Sequence, residues 1–210
     1  MSRDEQKSER RVKIIRAAKE LFITKGLAGT SMSEIAKKID LNVRTVYRYY
    51  KTKEELAFEI EIKIFEEMIE KLKTTSSIIK GKNGFEKISK LLTLTEKYYR
   101  SSENEIRFMG EFDYYFTGAY PYNALSDRFV EMMRTMDSPL RGYLKEGIID
   151  GSIREDLDVP LTVETIENAM LALSQRIVSR GEHLEIEQEV PPAAMLTCLT
   201  NLLLNGIRNI

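Results

Sequence analysis

The sequence predicts an all-α fold with about nine helices, divided into a small N-terminal part of three helices and a larger helical part. Apolar residues recur at spacings of three and four almost throughout the 210 residues, and no run of alternating β-branched residues competes with them. Residues that cap helix ends stand between these periodic stretches. With 42% hydrophobic and 31% charged residues, the chain can fill a core and coat its surface.

The first two predicted helices have clear ends. An amphipathic helix from about residue 6 to 25 places its apolar side chains on one face and stops at Gly26, a normal helix end. The next helix, from about 31 to 39, begins at Ser31, whose hydroxyl can cap the backbone while the Glu34 carboxylate reaches back. This S-x-x-E pattern predicts a capping box.

A third, short helix and a long fourth helix follow. Asn42 is a good N-cap residue and opens a helix that runs to about Tyr49. Thr52 and Glu55 form a second predicted capping box, and from there apolar residues step by four and three to about Leu72. This fourth helix would join the two domains that we predict, residues 1–54 and residues 55–210.

The larger part is predicted to hold the remaining five helices. They are separated by a loop rich in Ser, Gly and Lys near residues 74–84 and by a turn at Asp150-Gly151. Pro139 should kink or split one of them. The predicted helices span about 85–99, 103–116, 125–150, 163–177 and 194–206.

Charge is distributed unevenly along the chain. The formal net charge is −1, but residues 1–56 hold 14 Lys and Arg against 8 Asp and Glu, a balance of +6 that leaves −7 for the rest. The basic N-terminal part is therefore the candidate for binding a polyanion.

Two short capped helices between an amphipathic helix and a long one have the spacing of a helix-turn-helix unit. The second is too short and polar to be a core element, so its side chains can reach base edges and phosphates in a major groove. The residues just before the first short helix and at the start of the long helix suit phosphate contacts, through hydroxyls, amides and the helix dipole. The candidate DNA-binding residues are Thr30, Ser31, Asn42, Val43, Arg44, Thr45, Tyr47, Arg48, Lys51 and Lys53.

The segment from Asp40 to Leu56, DLNVRTVYRYYKTKEEL, closely resembles the signature of the TetR family of repressors. With the upstream pattern of Ile, Ala, Leu and Phe, the resemblance covers about residues 8 to 57, a quarter of the chain. It implies that Tyr47 and Lys53 contact DNA and that Tyr50 packs under the recognition helix. It also implies a helical regulatory domain with a ligand cavity, and dimerisation through the last two long helices.

Two departures from the family pattern concern specificity. Arg44 stands where the family often has a glycine or a small residue, and Asn42 stands where a serine is common. Arg44 could bind a guanine in a bidentate manner. The operator sequence of other members is therefore not transferable to this chain.

The last two predicted helices hold more apolar surface than one subunit can easily hide. A seam of five apolar residues on one helix and a nearly wholly apolar final helix predict a homodimer through about residues 162–180 and 192–207. The alternative, two ordinary core helices, stays open on periodicity alone. The seam consists of Val163, Ile166, Met170, Leu173 and Ile177.

A ligand site is predicted in the segment that is richest in aromatic residues, 107–116. Aromatic rings, a flexible methionine and a carboxylate could hold a planar or cationic small molecule. The same helical spacing is also typical of an ordinary core, and this alternative is the stronger one on the pattern alone. The candidate ligand-binding residues are Phe108, Met109, Glu111, Phe112 and Tyr115.

No enzyme class finds support in the sequence. His183 is the only histidine and lies in a polar stretch, interpreted as a solvated loop, so no metal, cofactor or catalytic residue is predicted. Cys198, the only cysteine, is expected to be a buried small hydrophobe, and a single cysteine fits a reducing, cytoplasmic compartment. Residues 190–207 contain two prolines and several polar residues, so they predict a buried helix rather than a membrane span.

The leading hypothesis is a ligand-responsive repressor whose two recognition helices enter successive major grooves of operator DNA. A second hypothesis is a ligand-free helical interaction module whose N-terminal unit docks a protein or caps the bundle. The balance of +6 and the capping pattern argue against the second. A third, an all-α enzyme, lacks a titratable cluster.

Overall fold

The computed structural model describes residues 3–121 and 123–209, the side chain of residue 3 excepted. Across those residues it contains eleven α-helices and no strand longer than an isolated bridge, so the all-α prediction is confirmed. The helices are α1 (Arg3–Lys25), α2 (Met32–Lys38), α3 (Val43–Tyr47), α4 (Lys53–Ile78), α5 (Gly84–Ser101), α6 (Glu103–Tyr115), α7 (Ala124–Thr135), α8 (Pro139–Ile149), α9 (Val159–Arg180), α10 (Glu182–Gln188) and α11 (Pro192–Ile207).

The chain packs as two compact units, and each is built from two stretches of sequence. The first comprises Met1–Glu67 and Arg107–Met136, and the second comprises Met68–Ile106 and Asp137–Ile210. Helix α4 contributes residues to both. The first unit therefore contains most of α6, all of α7 and the first part of α4 in addition to the three N-terminal helices.

The first unit has a core rich in aromatic rings. Phe22 of α1 and Phe58 of α4 are fully buried, as is Phe112 of α6. The Phe58 ring lies at centroid distances of 5.0 Å from Phe112 and 5.7 Å from Phe129, both in edge-on geometry. Such edge-to-face pairs add to the stabilisation from apolar burial, so these rings join α4, α6 and α7.

The second unit depends on close packing of α5 against α8. A Cβ atom added to Gly84 would lie 2.3 Å from the backbone nitrogen of Gly147, so only glycine allows this approach. The Asp150 carboxylate, just past α8, accepts a hydrogen bond of 2.7 Å from the Gly84 backbone N–H. The start of α5 is thus fixed on the end of α8.

The apolar seam of α9 is buried within this same unit. Val163, Ile166 and Met170 are buried, and α9 packs against α5, α8 and α11. These three of the five seam residues therefore face the chain's own core, whereas Leu173 and Ile177 are half-buried in the single chain.

The split expected at Pro139 is present, and the helices differ from the prediction at two other places. Ser138 caps a separate α8 with Pro139 in its first turn, so the predicted 125–150 helix is split. The stretch around His183 forms the short α10 rather than a loop, although His183 is exposed. Helix α4 continues to Ile78, into the predicted loop, because Ser and Thr are only weak helix breakers.

The expectation for Cys198 is wrong for the single chain, in which this residue is exposed. Helix α11 buries Leu196, Thr200 and Leu204. Cys198 lies two residues after Leu196 and two before Thr200, which places it on the opposite face of the helix.

Among the described residues, no helix is by itself long and apolar enough to cross a membrane. Only α10 and α11 taken together satisfy that criterion of length and composition, and they are bent by 76°.

Candidate nucleic-acid interface

Helix α2 begins with the predicted capping box. The Ser31 hydroxyl accepts from the Glu34 backbone N–H at 3.2 Å, and the Glu34 carboxylate accepts from the Ser31 backbone N–H at 2.9 Å. Lys25, the last residue of α1, donates to Glu34 at 2.6 Å. The hydrogen bond from Lys25, with those from Ser31, lowers the pKa of the Glu34 carboxyl to about 2. The end of α1 and the start of α2 therefore share one carboxylate.

The turn between α2 and α3 is a Schellman motif closed by an aspartate. The Leu41 N–H donates to the Ala36 carbonyl at 2.9 Å, and the Asp40 N–H donates to the Lys37 carbonyl at 3.3 Å. Asp40 has φ +53°, in the left-handed region that Asp tolerates better than most residues. The sequence analysis assigned no role to Asp40, since this position usually holds glycine.

Helix α3 presents basic and aromatic side chains on its outer face. Asn42 caps it as predicted, accepting from the Arg44 N–H at 2.9 Å. Arg44, Tyr47 and Arg48 are exposed, with 49% of Tyr47 accessible, and the only buried residue of the helix is Val46. The helix thus attaches through one small apolar side chain and leaves its cationic side open. Asn42 is also exposed, and Val43 and Thr45 are half-buried.

Tyr50 anchors the chain directly after α3. It is 2% exposed, and its hydroxyl accepts a hydrogen bond of 3.1 Å from Arg11 of α1. Arg11 also pairs with the buried Glu59 of α4 at 2.9 Å. Burial raises the pKa of the Tyr50 hydroxyl to about 12, against the effect of Arg11. The burial of Tyr50 directly after α3 agrees with the expected packing role, and its hydroxyl is tied to α1.

Among the ten candidate DNA-binding residues, Lys53 and Thr30 have their polar side-chain groups bonded to backbone carbonyls between α1 and α2. The Lys53 ammonium donates to the carbonyls of Leu27 at 2.7 Å, Thr30 at 3.2 Å and Ala28 at 3.3 Å. The Thr30 hydroxyl is buried and donates to the Gly26 carbonyl at 2.8 Å. Lys51 and Ser31, in contrast, are exposed. Lys53 and Thr30 therefore shape the connection between α1 and α2 in this conformation.

The predicted ligand residues of α6 divide into two groups. Phe108, Met109 and Phe112 are buried in the core of the first unit. Glu111 instead accepts a hydrogen bond of 2.7 Å from the Leu27 N–H, and the Tyr115 hydroxyl donates to Glu54 at 2.8 Å.

The contacts of Glu111 and Tyr115 connect α6 to the helix-turn-helix unit. Burial, followed by the hydrogen bond to Glu54, raises the pKa of the Tyr115 hydroxyl to about 12. Glu111 and its partner Leu27 are 84 positions apart in the chain, and no local pattern reports such a pairing. This contact between α6 and the α1–α2 connection could therefore not be predicted from local sequence patterns.

A second basic element lies beside α3. Lys7 and Arg10, on the first turns of α1, line an open groove together with Arg48 and Tyr49; one acidic residue, Asp4, also lines it. The sequence analysis counted these two cations in the charge balance but assigned them no position. Their common groove extends the basic surface of α3 onto α1.

An exposed cationic helix, held as the second of a capped pair on an all-α chain, defines the class of helix-turn-helix DNA-binding regulators. Residues 14–60 match the model of the family described as bacterial regulatory proteins, tetR family. The HTH-type transcriptional regulator QacR of Staphylococcus aureus is 30% identical over 141 residues, which are 66% of this chain and 71% of that protein. The chain belongs to the TetR family, and it is a transcriptional regulator rather than an enzyme.

Other similar proteins agree with this assignment. The probable HTH-type transcriptional regulator YttP of Bacillus subtilis is 33% identical over 97 residues, 46% of this chain and 47% of that protein. A tetR-family regulatory protein from Rhodococcus RHA1 has a TM-score of 0.70 at 18% identity, with 95% of this chain and 97% of that chain covered. FadR from Bacillus subtilis, solved in complex with stearoyl-CoA, has a TM-score of 0.64 at 21% identity, with 94% and 99% covered. The solved structures show that the fold is shared.

Proposed function

We propose that the chain is a homodimeric repressor that binds operator DNA through α3 and is released by a small-molecule effector. The observation that carries the proposal is the exposure of Arg44, Tyr47 and Arg48 on a helix whose two ends are fixed by Asn42 and Tyr50. A fixed helix with free cationic side chains can enter a major groove without reorganising.

The candidate residues then take distinct roles at the DNA. Arg44 is placed to read a base edge, and a bidentate pair with guanine is the contact that suits it. Lys51 is available for phosphates, and the groove beside α3 adds Lys7 and Arg10 to it. Ser31 is exposed, but a phosphate there must share its hydroxyl with Glu34. The proposed DNA-binding set is Ser31, Asn42, Val43, Arg44, Thr45, Tyr47, Arg48, Lys51 and Lys53. Thr30 is removed from the predicted set, because its side chain is buried and its hydroxyl donates to the Gly26 carbonyl.

A dimer through α9 and α11 is supported by the faces that these helices leave open. On α9 the small residues Thr165 and Ala172 are exposed, and on α11 Ala194, Cys198 and Leu202 are exposed, Leu202 by 63%. Small side chains at helical spacing allow two helices to approach closely. The interface that we propose lies on this face, opposite the seam that the chain buries itself.

We place the effector site among the buried side chains of α6, with Phe108, Met109, Glu111, Phe112 and Tyr115 as its proposed residues. Because Glu111 and Tyr115 bond to the loop after α1 and to the start of α4, a ligand that displaces α6 would disturb both. An effector can shift the protein only by as much as its affinity differs between the two states. The stearoyl-CoA bound to FadR supports a small-molecule ligand for this fold.

The test is a substitution at the centre of the reading face. The ligand is a fluorescent duplex that the wild-type chain has selected from random DNA. Tyr47→Ala should lower the affinity for this duplex about tenfold, since one lost base or phosphate contact costs about 1–3 kcal/mol. Tyr114→Ala, which removes a tyrosine that is 79% exposed on α6, is the matched control. Fluorescence anisotropy at fixed salt gives the affinities. Wild-type affinity in the Tyr47 variant would remove the reading role of α3.

The salt dependence of binding distinguishes this proposal from the alternative, an interaction module that docks a protein. Several Lys and Arg that neutralise phosphates release counterions, so the affinity for DNA must fall steeply as salt rises. An apolar docking surface has no such dependence. A salt-independent affinity for the selected duplex would contradict the proposal.

A further inference from the structure

The last turns of α4, the α4–α5 connection and α5 form a basic surface on the second unit. Residues 71–97 hold seven lysines against two glutamates, although the chain beyond residue 56 is acidic as a whole. One of the lysines, Lys87, pairs with Glu146. The other six are exposed, and they are Lys71, Lys73, Lys80, Lys82, Lys90 and Lys97. The helix-turn-helix helices belong to the first unit, so these lysines form a separate basic surface.

A groove between α4 and α5 runs through this surface. It is lined by the half-buried side chains of Leu72, Leu94 and Tyr98 and by the exposed Lys71 and Lys97. The Lys71 ammonium lies 4.7 Å from the centroid of the Tyr98 ring. The groove therefore has an apolar floor and a cationic rim.

The size and lining of the groove favour a protein side chain as its occupant. Its volume is about 190 Å³, whereas sites for small molecules usually have about 300–1,000 Å³ and enclose most of the ligand. A nucleic acid presents phosphates and sugars at its surface, and these gain nothing from an apolar floor. A flat bilayer surface does not enter a concave groove. The partner that fits is a helix with an apolar side chain among carboxylates.

Helix α10 of this chain has such a face. Glu182, Glu185, Ile186 and Glu189 follow one another at spacings of three and four, so they lie on one side of α10 and its C-cap. All four are exposed, Ile186 by 75%, whereas Leu184 is buried. The outer face of α10 is thus one aliphatic side chain surrounded by three carboxylates.

We propose that the α4–α5 groove binds α10 of a second copy of this chain. Ile186 of one copy lies on the apolar floor, and its neighbouring glutamates lie beside Lys71 and Lys97 of the other copy. Opposite charges and apolar parts of similar extent make the two faces complementary. The contact uses residues outside the dimer face proposed on α9 and α11, so it does not rest on the proposed function.

The contact is weak and sensitive to salt. It consists of one apolar anchor and a rim of exposed ion pairs, which is small for a protein interface, and each exposed pair contributes little. Copies held close together on one DNA molecule gain most from it, because their effective concentration is high. This last consequence, unlike the contact itself, rests on the proposed function.

Sedimentation equilibrium of the full chain without DNA tests the contact. The mass at micromolar concentration gives the starting species, whether that is one chain or a dimer. In wild type we expect the mass to rise above this value as the concentration approaches about 1 mM at low salt, since small interfaces are weak. We expect about 0.5 M salt to abolish the rise, because it screens the ion pairs.

Two charge-reversed variants identify the faces. Lys71→Glu with Lys97→Glu reverses the rim of the groove, and Glu185→Lys with Glu189→Lys reverses the face of α10. Each variant alone should weaken this association about tenfold or more, because like charges then meet. An equal mixture of the two should associate within about threefold of wild type, because opposite charges face each other again.

The control reverses two exposed lysines elsewhere. Lys13→Glu with Lys145→Glu changes residues of α1 and α8 and should keep the association. All the changed side chains are exposed, so the variants should fold, which circular dichroism and thermal unfolding will check.

The outcomes are separable from those of the proposed function. A constant mass in wild type, full association of either reversed variant, or a mixture that does not associate would each overturn the contact. A groove variant that still associates but loses affinity for the selected duplex would identify nucleic acid as the occupant and also overturn it. A wild-type chain that selects no DNA sequence would refute the proposed function and leave this contact standing.

Discussion

At the scale of single residues, the connection between α1 and α2 requires a glycine at its first position. Gly26 has φ +79°, and a Cβ atom added there would lie 2.9 Å from a carboxylate oxygen of Glu111. That oxygen accepts the Leu27 N–H, so it cannot move away without losing a hydrogen bond. Both the backbone conformation and the space therefore exclude a side chain.

Gly26→Ala should lower the free energy of unfolding by more than about 1 kcal/mol, because it adds strain at a positive φ and displaces Glu111. Gly142→Ala is the control, since that glycine lies within α8 with no atom near its added Cβ, and it should stabilise by about 0.5–1 kcal/mol. Urea denaturation measures both. Equal stability of the two variants would refute this account of Gly26.

At the scale of elements, the start of α4 holds two lysines in different environments. Lys51 precedes the helix and has an exposed side chain, whereas Lys53 donates to three carbonyls of the α1–α2 connection. A lysine that binds a phosphate releases a counterion, and a lysine that binds carbonyls in the free protein need not. The two residues should therefore contribute to DNA affinity in different ways.

Lys51→Ala should weaken DNA binding and reduce the slope of log affinity against log salt by about 1, as expected for one lost phosphate contact. Lys53→Ala should weaken binding with the slope unchanged, and it should also lower the thermal stability. Anisotropy titrations at four salt concentrations measure the slopes. A slope reduced equally in both variants would show that Lys53 leaves its carbonyls to bind phosphate.

The caps of the N-terminal helices could be predicted because each involves residues close in sequence. Ser31 with Glu34, and Asn42 with Arg44, form within one turn. The predicted capping box at the start of α4 differs in one detail. The Glu55 backbone N–H donates to the Thr52 hydroxyl as predicted, but the Glu55 carboxylate accepts from the Lys51 backbone N–H rather than from that of Thr52.

Contacts between distant segments could not be predicted, because periodicity reports that a side is apolar and not what covers it. The burial of Glu61 and the contacts of Glu111 with the α1–α2 connection belong to this kind. The pattern on α9 likewise identified an apolar seam, but it did not report that Val163, Ile166 and Met170 are buried within the single chain. The resemblance to a family predicted the class of function. The structure was needed to show which of the candidate polar side chains are exposed and which are bonded within the protein.

At the scale of the whole molecule, the account depends on symmetry. In the proposed complex a single α3 reads one short half-site, and the α9–α11 face, which includes the exposed Leu202, brings a second copy to the adjacent groove. Weakening that face should therefore change the DNA sequence that is recognised as well as the state of association.

The most direct measurement is selection of duplexes from random DNA by the full chain. The account predicts that wild type enriches a two-fold symmetric sequence whose half-sites are about 34 Å apart, or a multiple of it. Leu202→Arg should enrich at most one half-site, whereas Ile149→Arg, an exposed aliphatic of α8 outside the proposed face, should select as wild type does. An asymmetric sequence, or no enrichment, from the wild-type chain would contradict the account.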